Sequence, residues 1–323
     1  MFALTALSAA LGWLGRQRTR AVAAVVFIAI AVPPLDALLK PFVAEAIFAL
    51  LTIAFMRVDI AALRGHIRSP GLVLAATAWT TLVVPALVGG CCLLAGLGTR
   101  SPDLLLALMM QAVASPMMAA PAFAALMGLD PTLVVTTLVV STALTPLTAP
   151  LFAYAVVGSA LTLSPLALGL HLFAILAGAL IAAVVIRRFA GAAAVARRSD
   201  QIDGLNILLV FFFVAAVMEN VAARFWAEPL MMIGLTALAF AVAFAILGLT
   251  ALVFAAAGRE RSFVLALMAS QRNMGLMLAA TGGALPDFTW LYFALAQFPA
   301  YLTPLLLSPL ARRIKAGTVP PPL

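Results

Sequence analysis

Ser270, Gln271, Arg272 and Asn273 follow one another inside a stretch, Leu265 to Ala279, that is otherwise fit for a lipid bilayer. A hydroxyl, two carboxamides and a guanidinium place many donors and a few acceptors together. The guanidinium keeps its proton in proteins. Inside a membrane it costs between about 3 and more than about 10 kcal/mol unless it is paired or hydrated. Three chemistries fit Arg272: a fixed structural cation, a direct ligand for an anion, or one half of a remote salt bridge. Asn273 has two readings, a ligand-facing amide or a residue that locks the helix start.

A second group lies in the run that ends "QAVASPMMAAPAF", with Gln111, Ser115, Pro116, Met117, Met118 and Pro121. Gln111 and Ser115 either line a cavity or bond across the interior. Met117, Met118, Met274 and Met277 mark an adaptable apolar surrounding. Catalysis is not expected. A membrane hydrolase needs paired metal-binding histidines or a nucleophile with its base, and the chain has only His66, in a polar stretch, and His171, in an apolar one. No metal ligand set and no cofactor are expected. Cys91 and Cys92 are adjacent within an apolar segment and read as small buried hydrophobes.

The elements that must carry these residues are membrane helices. The chain of 323 residues is 65% hydrophobic and only 9% charged, too apolar for a soluble domain. A helix needs about 20 apolar residues to cross the hydrocarbon. Polar punctuation divides the chain into ten such spans, near 21–39, 41–57, 70–97, 103–128, 131–157, 164–187, 203–223, 228–257, 262–283 and 287–310.

Charge placement agrees with that count. With a cytoplasmic N-terminus, the inner side holds Arg16, Arg18, Arg20, Arg57, Arg64, Arg68, Arg187, Arg188, Arg197, Arg198, Arg259, Arg261, Arg312, Arg313 and Lys315. The outer side holds Lys40, Arg100 and Arg224, and Arg272 alone lies away from the ends of a span. Basic residues favour the cytoplasmic side, so both ends are expected there, in a plasma membrane and, for a bacterium, the inner one. The basic pI therefore reports orientation rather than nucleic acid. Residues 1–20 form a cytoplasmic or interfacial lead-in, with no cleaved signal peptide expected. Residues 313–323 are a cytoplasmic tail whose end, "AGTVPPPL", reads as disordered.

An internal repeat follows from two short matches. "LALM" occurs at 106–109 and at 265–268, and "LTPL" at 144–147 and at 302–305, with spacing kept to within one residue. The matches pair the fourth span with the ninth and the fifth with the tenth. They divide the chain into repeats of five spans, 21–157 and 158–312, the second inverted because five crossings reverse direction. Both repeats are interrupted at matching places. Pro116 and Pro121 break the fourth span near Ser115 to Ala119, since proline lacks an N–H and clashes with the preceding turn. The Ser270 to Asn273 run, followed by Gly275, breaks the ninth. Unwound backbone survives at membrane depth only where protein or a watery cavity satisfies it, so the two breaks point to one central site.

Residues 48–70, 101–151 and 259–283 resemble the second, fourth to fifth and ninth helices of the bile acid:sodium symporter (BASS) superfamily, over about 21 to 312 of the chain. The resemblance implies an all-α, ten-helix carrier of the elevator type. Helices 1, 2, 6 and 7 would form a panel, and helices 3, 4, 5, 8, 9 and 10 a core in which the broken helices 4 and 9 cross. Related branches carry bile acids, other organic anions or arsenite. Asn273 matches the asparagine that faces substrate in that family.

The departures bear on coupling. Where sodium-coupled members have a glutamate and a glutamine in helix 9, this chain has Met268 and Arg272; where helix 4 carries a Ser-Asn pair it has Pro121 and Ala122; and Val84 stands in place of a glutamine before Pro85. Sodium needs several oxygen ligands, as hard cations do, and Met268, Val84 and Ala122 bring none. The expectation is a sodium-independent carrier of a small organic anion, with Arg272 in the place of the cation. Its ligands would come from Arg272, Asn273, Gln271, Ser115, Gln111, Met117 and Met118, and its only other partner would be the bilayer. The alternatives are a non-transporting sensor on the same fold, or a sodium- or proton-coupled symporter with different ligands.

Overall fold

The computed structural model describes residues 6, 8–17, 24, 27–28, 38–57, 70–158, 163–218, 220–282 and 285–316. Most of the expected first span, the loop containing His66 and the tail after 316 lie outside the described residues. The described ones form helices: α1 (8–17), α2 (Val43–Met56), α3 (Pro70–Leu94), α4 (Pro102–Val113), α5 (Ala120–Leu126), α6 (Thr132–Val157), α7 (Pro165–Ala190), α8 (Ser199–Val217), α9 (Pro229–Val253), α10 (Arg259–Ser270), α11 (Met274–Ala280) and α12 (Asp287–Ala316).

The protein is an all-α membrane protein. Among the described residues six helices, α3, α6, α7, α8, α9 and α12, are long and apolar enough to cross a bilayer. A span is expected at each, with ends shifted by a few residues. Helix ends follow from backbone chemistry. Pro102 and Pro165 open their helices, where a missing N–H costs nothing. Gly158 and Gly191, both at positive φ, follow α6 and α7.

The chain divides into two compact units. The first comprises residues 1–58 and 174–233. Within it α2 packs against α8, Arg57 pairs with Asp203, and the Arg187 guanidinium donates to the Met56 carbonyl at 3.1 Å. The lead-in is helical over 8–17 and approaches α8 at backbone distance. A Cβ on Gly15 would collide with the Asp200 carbonyl, and one on Gly204 with the Leu11 carbonyl, so only glycine allows that contact.

The second unit comprises residues 59–173 and 234–323 and holds both interrupted helices. Within it α6 packs against α4, α3 and α10, and α4 also against α3 and α12. The stretch Val43–Met56 and the interrupted pairs α4/α5 and α10/α11 coincide with the expected second, fourth and ninth spans.

Candidate functional site at the crossing of two broken helices

The site is built from two chain breaks that pair with each other. α4 ends at Val113, and Ala114 turns to φ −59°, ψ 145°, an extended conformation. α10 ends at Ser270, and Gln271 is likewise extended at φ −91°, ψ 105°. Pro116 and Arg272 then oppose each other in an antiparallel bridge. Its two hydrogen bonds run from the Met117 N–H to the Gln271 carbonyl and from the Asn273 N–H to the Ser115 carbonyl, each 2.8 Å. Backbone groups that would be orphaned in a bilayer are thereby satisfied by the other break.

Arg272 is 4% exposed. One terminal nitrogen donates to the Thr80 carbonyl at 3.2 Å and the Ala114 carbonyl at 3.0 Å; the other donates to the Thr80 carbonyl at 3.3 Å. Nε has no protein partner, and no acidic side chain pairs with Arg272 among the described residues. The salt-bridge alternative is without a partner there. What the guanidinium joins is backbone: its own break, the end of α4 and the middle of α3.

The Thr80 carbonyl is free for a reason written in the chain. Residues Trp79–Val83 form one π-helical turn, and the Val84 N–H reaches back to the Trp79 carbonyl instead of to Thr80. The next residue in that register is Pro85, which has no N–H to offer. Thr80 is left without a helical donor, as is common at such π-turns, which often mark functional sites. Packing holds the turn in place. Trp79 Nε1 donates to the Thr250 hydroxyl at 2.9 Å, its ring meets Phe254 edge-on, and Val84 packs with Ile246 of α9 and Ala269 of α10. Trp79 is thus tied into the second unit by a hydrogen bond.

The other expected residues distribute as follows. Asn273 is half-buried, and its side-chain oxygen caps α11 by accepting the Leu276 N–H at 3.1 Å; capping uses the oxygen only and leaves the amide donors outside the cap. Gln111 is buried and accepts from the Tyr292 hydroxyl, a bond across the interior between α4 and α12. Ser115 and Gln271 are each 1% exposed, and neither the hydroxyl nor either end of the amide has a protein partner among the described residues. Met117 and Met118 are half-buried. Ser270 is buried with its hydroxyl on the Leu267 carbonyl at 2.9 Å, and Gly275 is buried within α11. Pro121 sits in the first turn of α5.

Of the positions where the resemblance puts sodium ligands, Met268 and Val84 are buried, Pro121 is half-buried and Ala122 is exposed. Hydroxyls near α6 are present but differently engaged. Thr145 donates to the Ser141 carbonyl, whereas Thr137, Ser141 and Thr142 are buried without partners among the described residues. His171 donates from Nδ1 to the Ala280 carbonyl at 2.9 Å, because a carbonyl only accepts, and so holds the end of α11. Thr80 and Pro85 were not singled out as site residues by the sequence, although a proline five residues beyond Thr80 is the signal that marks that carbonyl.

No protein-family model matches the chain, and no curated protein matches it.

Proposed function

We propose that the protein is a secondary transporter that moves an organic anion across a plasma membrane by alternating access, without sodium. The observation that carries this reading is the guanidinium of Arg272 lying on the Thr80 and Ala114 carbonyls beside the Pro116–Arg272 bridge. Freed carbonyls at a crossing of broken helices are the ligands a hard cation uses. Here a covalently held cation occupies them, and it cannot dissociate into a gradient.

The resemblance to the BASS superfamily supports the same reading, with ten crossings in two inverted repeats of five and both ends cytoplasmic. Support also comes from the division of the chain. The unit of residues 1–58 and 174–233 holds the segments assigned to a panel except 164–173 of the sixth, and the unit with both breaks holds those assigned to a core except 228–233 of the eighth. Arg272 supplies a permanent positive field, and Asn273, Gln271 and Ser115 supply neutral contacts. Purified protein in liposomes tests the proposal: accumulation or release of a labelled organic anion supports a carrier, and ligand binding with no flux supports a sensor instead.

A further inference from the structure

The bridge at Pro116 and Arg272 sorts the polar side chains of the crossing onto two faces. In extended backbone, successive side chains point to opposite sides, and residues opposed across an antiparallel pair share a side. Arg272 leaves on the side of Pro116 and is spent on the Thr80 and Ala114 carbonyls. Ser115, Met117, Gln271 and Asn273 leave on the other.

On that second face two side chains are left unfinished. Ser115 and Gln271 are 1% exposed, yet the hydroxyl and both ends of the amide lack a protein partner among the described residues. Buried polar groups are nearly always bonded, and each exception calls for a cause. Met117 and Asn273, half-buried on the same face, are where it opens, past a thioether that changes rotamer readily.

The inventory of unmet groups names a ligand. Gln271 offers two donors and an acceptor oxygen, and Ser115 one donor and two lone pairs. A bare carboxylate only accepts, so it would satisfy the donors and leave the Gln271 oxygen bare. An ammonium group would satisfy that oxygen but would be repelled by the nearby guanidinium charge. A hydroxyl beside a carboxylate brings a neutral donor together with acceptors.

We propose that Gln271 and Ser115 form a neutral reading pair that selects hydroxycarboxylates over the same acids without the hydroxyl. The inference rests on the reading of this crossing as an anion carrier's site. Charge and reading pair lie on opposite faces, however, so the two can be tested apart.

The test is ligand-induced thermal stabilisation of the full-length protein, titrated with matched acids: 2-hydroxyisovalerate against isovalerate, 2-hydroxyhexanoate against hexanoate, and 2-hydroxyoctanoate against octanoate. In at least one pair the hydroxylated acid is expected to bind at least about tenfold more tightly, because a site built to bond a hydroxyl discriminates against its loss. Gln271→Leu and Ser115→Ala should each narrow that gap, the hydroxylated acid losing more affinity than its parent acid, which loses only the bonds its carboxylate accepts. Gln271→Met is the second variant should the leucine protein not fold. Equal binding within every pair, or a gap that survives both substitutions, overturns the inference and leaves anion carriage standing; ordered water would then be what meets these groups. Failure of all six acids to stabilise the folded protein overturns the inference, while the carrier reading stands or falls separately on the liposome flux.

Discussion

Pro116 and Arg272 face each other as a non-hydrogen-bonded pair, the two bonds of the bridge being made by their neighbours Met117, Gln271, Asn273 and Ser115. Such a position asks nothing of the Pro116 nitrogen, so a residue that breaks a helix can also sit in the pairing that repairs the break. Opposite it, Arg272 is held by its backbone in one break while its side chain bonds the end of the other, at Ala114, and the π-turn of α3, at Thr80.

The pairing sets a distance that chemistry can read. Met117 and Asn273 are diagonal neighbours on one face of the bridge, which puts them roughly 7–8 Å apart. Cysteines at these two positions, with Cys91 and Cys92 replaced, should crosslink efficiently with a short bifunctional thiol reagent. Absence of crosslinking in protein that retains its helical content would contradict the crossing.

Pro85 should matter through Arg272. In Pro85→Ala the new N–H competes for the Thr80 carbonyl, so stability should fall by about 1 kcal/mol in the parent. The same substitution should be neutral or stabilising in Arg272→Gln, where that carbonyl has lost its donor. The difference, a coupling of roughly 0.5–3 kcal/mol for residues that share a partner, is measured by a double-mutant cycle in denaturant. Strict additivity would mean that the π-turn and the guanidinium are independent.

Substituting Arg272 itself leaves two buried carbonyls without their donor, at about 1–3 kcal/mol each, partly offset because a desolvated charge is also removed. Arg272→Gln is expected to be destabilised and to lose anion binding. Arg272→Lys should keep part of both, since an ammonium supplies charge and donors without the fork. Chemical denaturation with and without anion measures both quantities. A glutamine variant as stable as the parent that binds as well would remove the built-in cation from the account.

A cation that stays with the protein also fixes the response to voltage. For the carrier proposed, the net charge moved over a full cycle is the substrate's, worth about 2.3 kcal/mol per charge per 100 mV, so an inside-negative potential would drive an anion outward. Potassium-valinomycin potentials of either sign imposed on loaded liposomes should change the direction of flux. Voltage-independent flux would mean that a counter-ion or exchange partner moves as well.

Much of the site was legible because proline and charge are loud in an apolar chain. Pro116 and the Ser270 to Asn273 run located both breaks, and Arg272 announced itself as the one basic residue away from the ends of a span. What the sequence did not disclose is how the groups are spent. Gln111 and Ser115 looked alike as candidates, but only Gln111 finds a partner, the Tyr292 hydroxyl, from a helix remote in sequence. Asn273 read as a ligand-facing amide or a helix lock, and its oxygen is engaged in capping. The Thr80 carbonyl was not singled out because backbone acceptors carry no residue type and its one signal, Pro85, does not by itself announce the register slip at Trp79–Val83 that frees it.

The most direct test of Arg272 as the resident cation is flux of an anion, once one is shown to bind, into liposomes with choline in place of all sodium. The parent protein is predicted to transport at the same rate with and without sodium, and Arg272→Gln to transport in neither medium. Flux by the parent that requires sodium, or flux by Arg272→Gln equal to the parent's, would contradict the account.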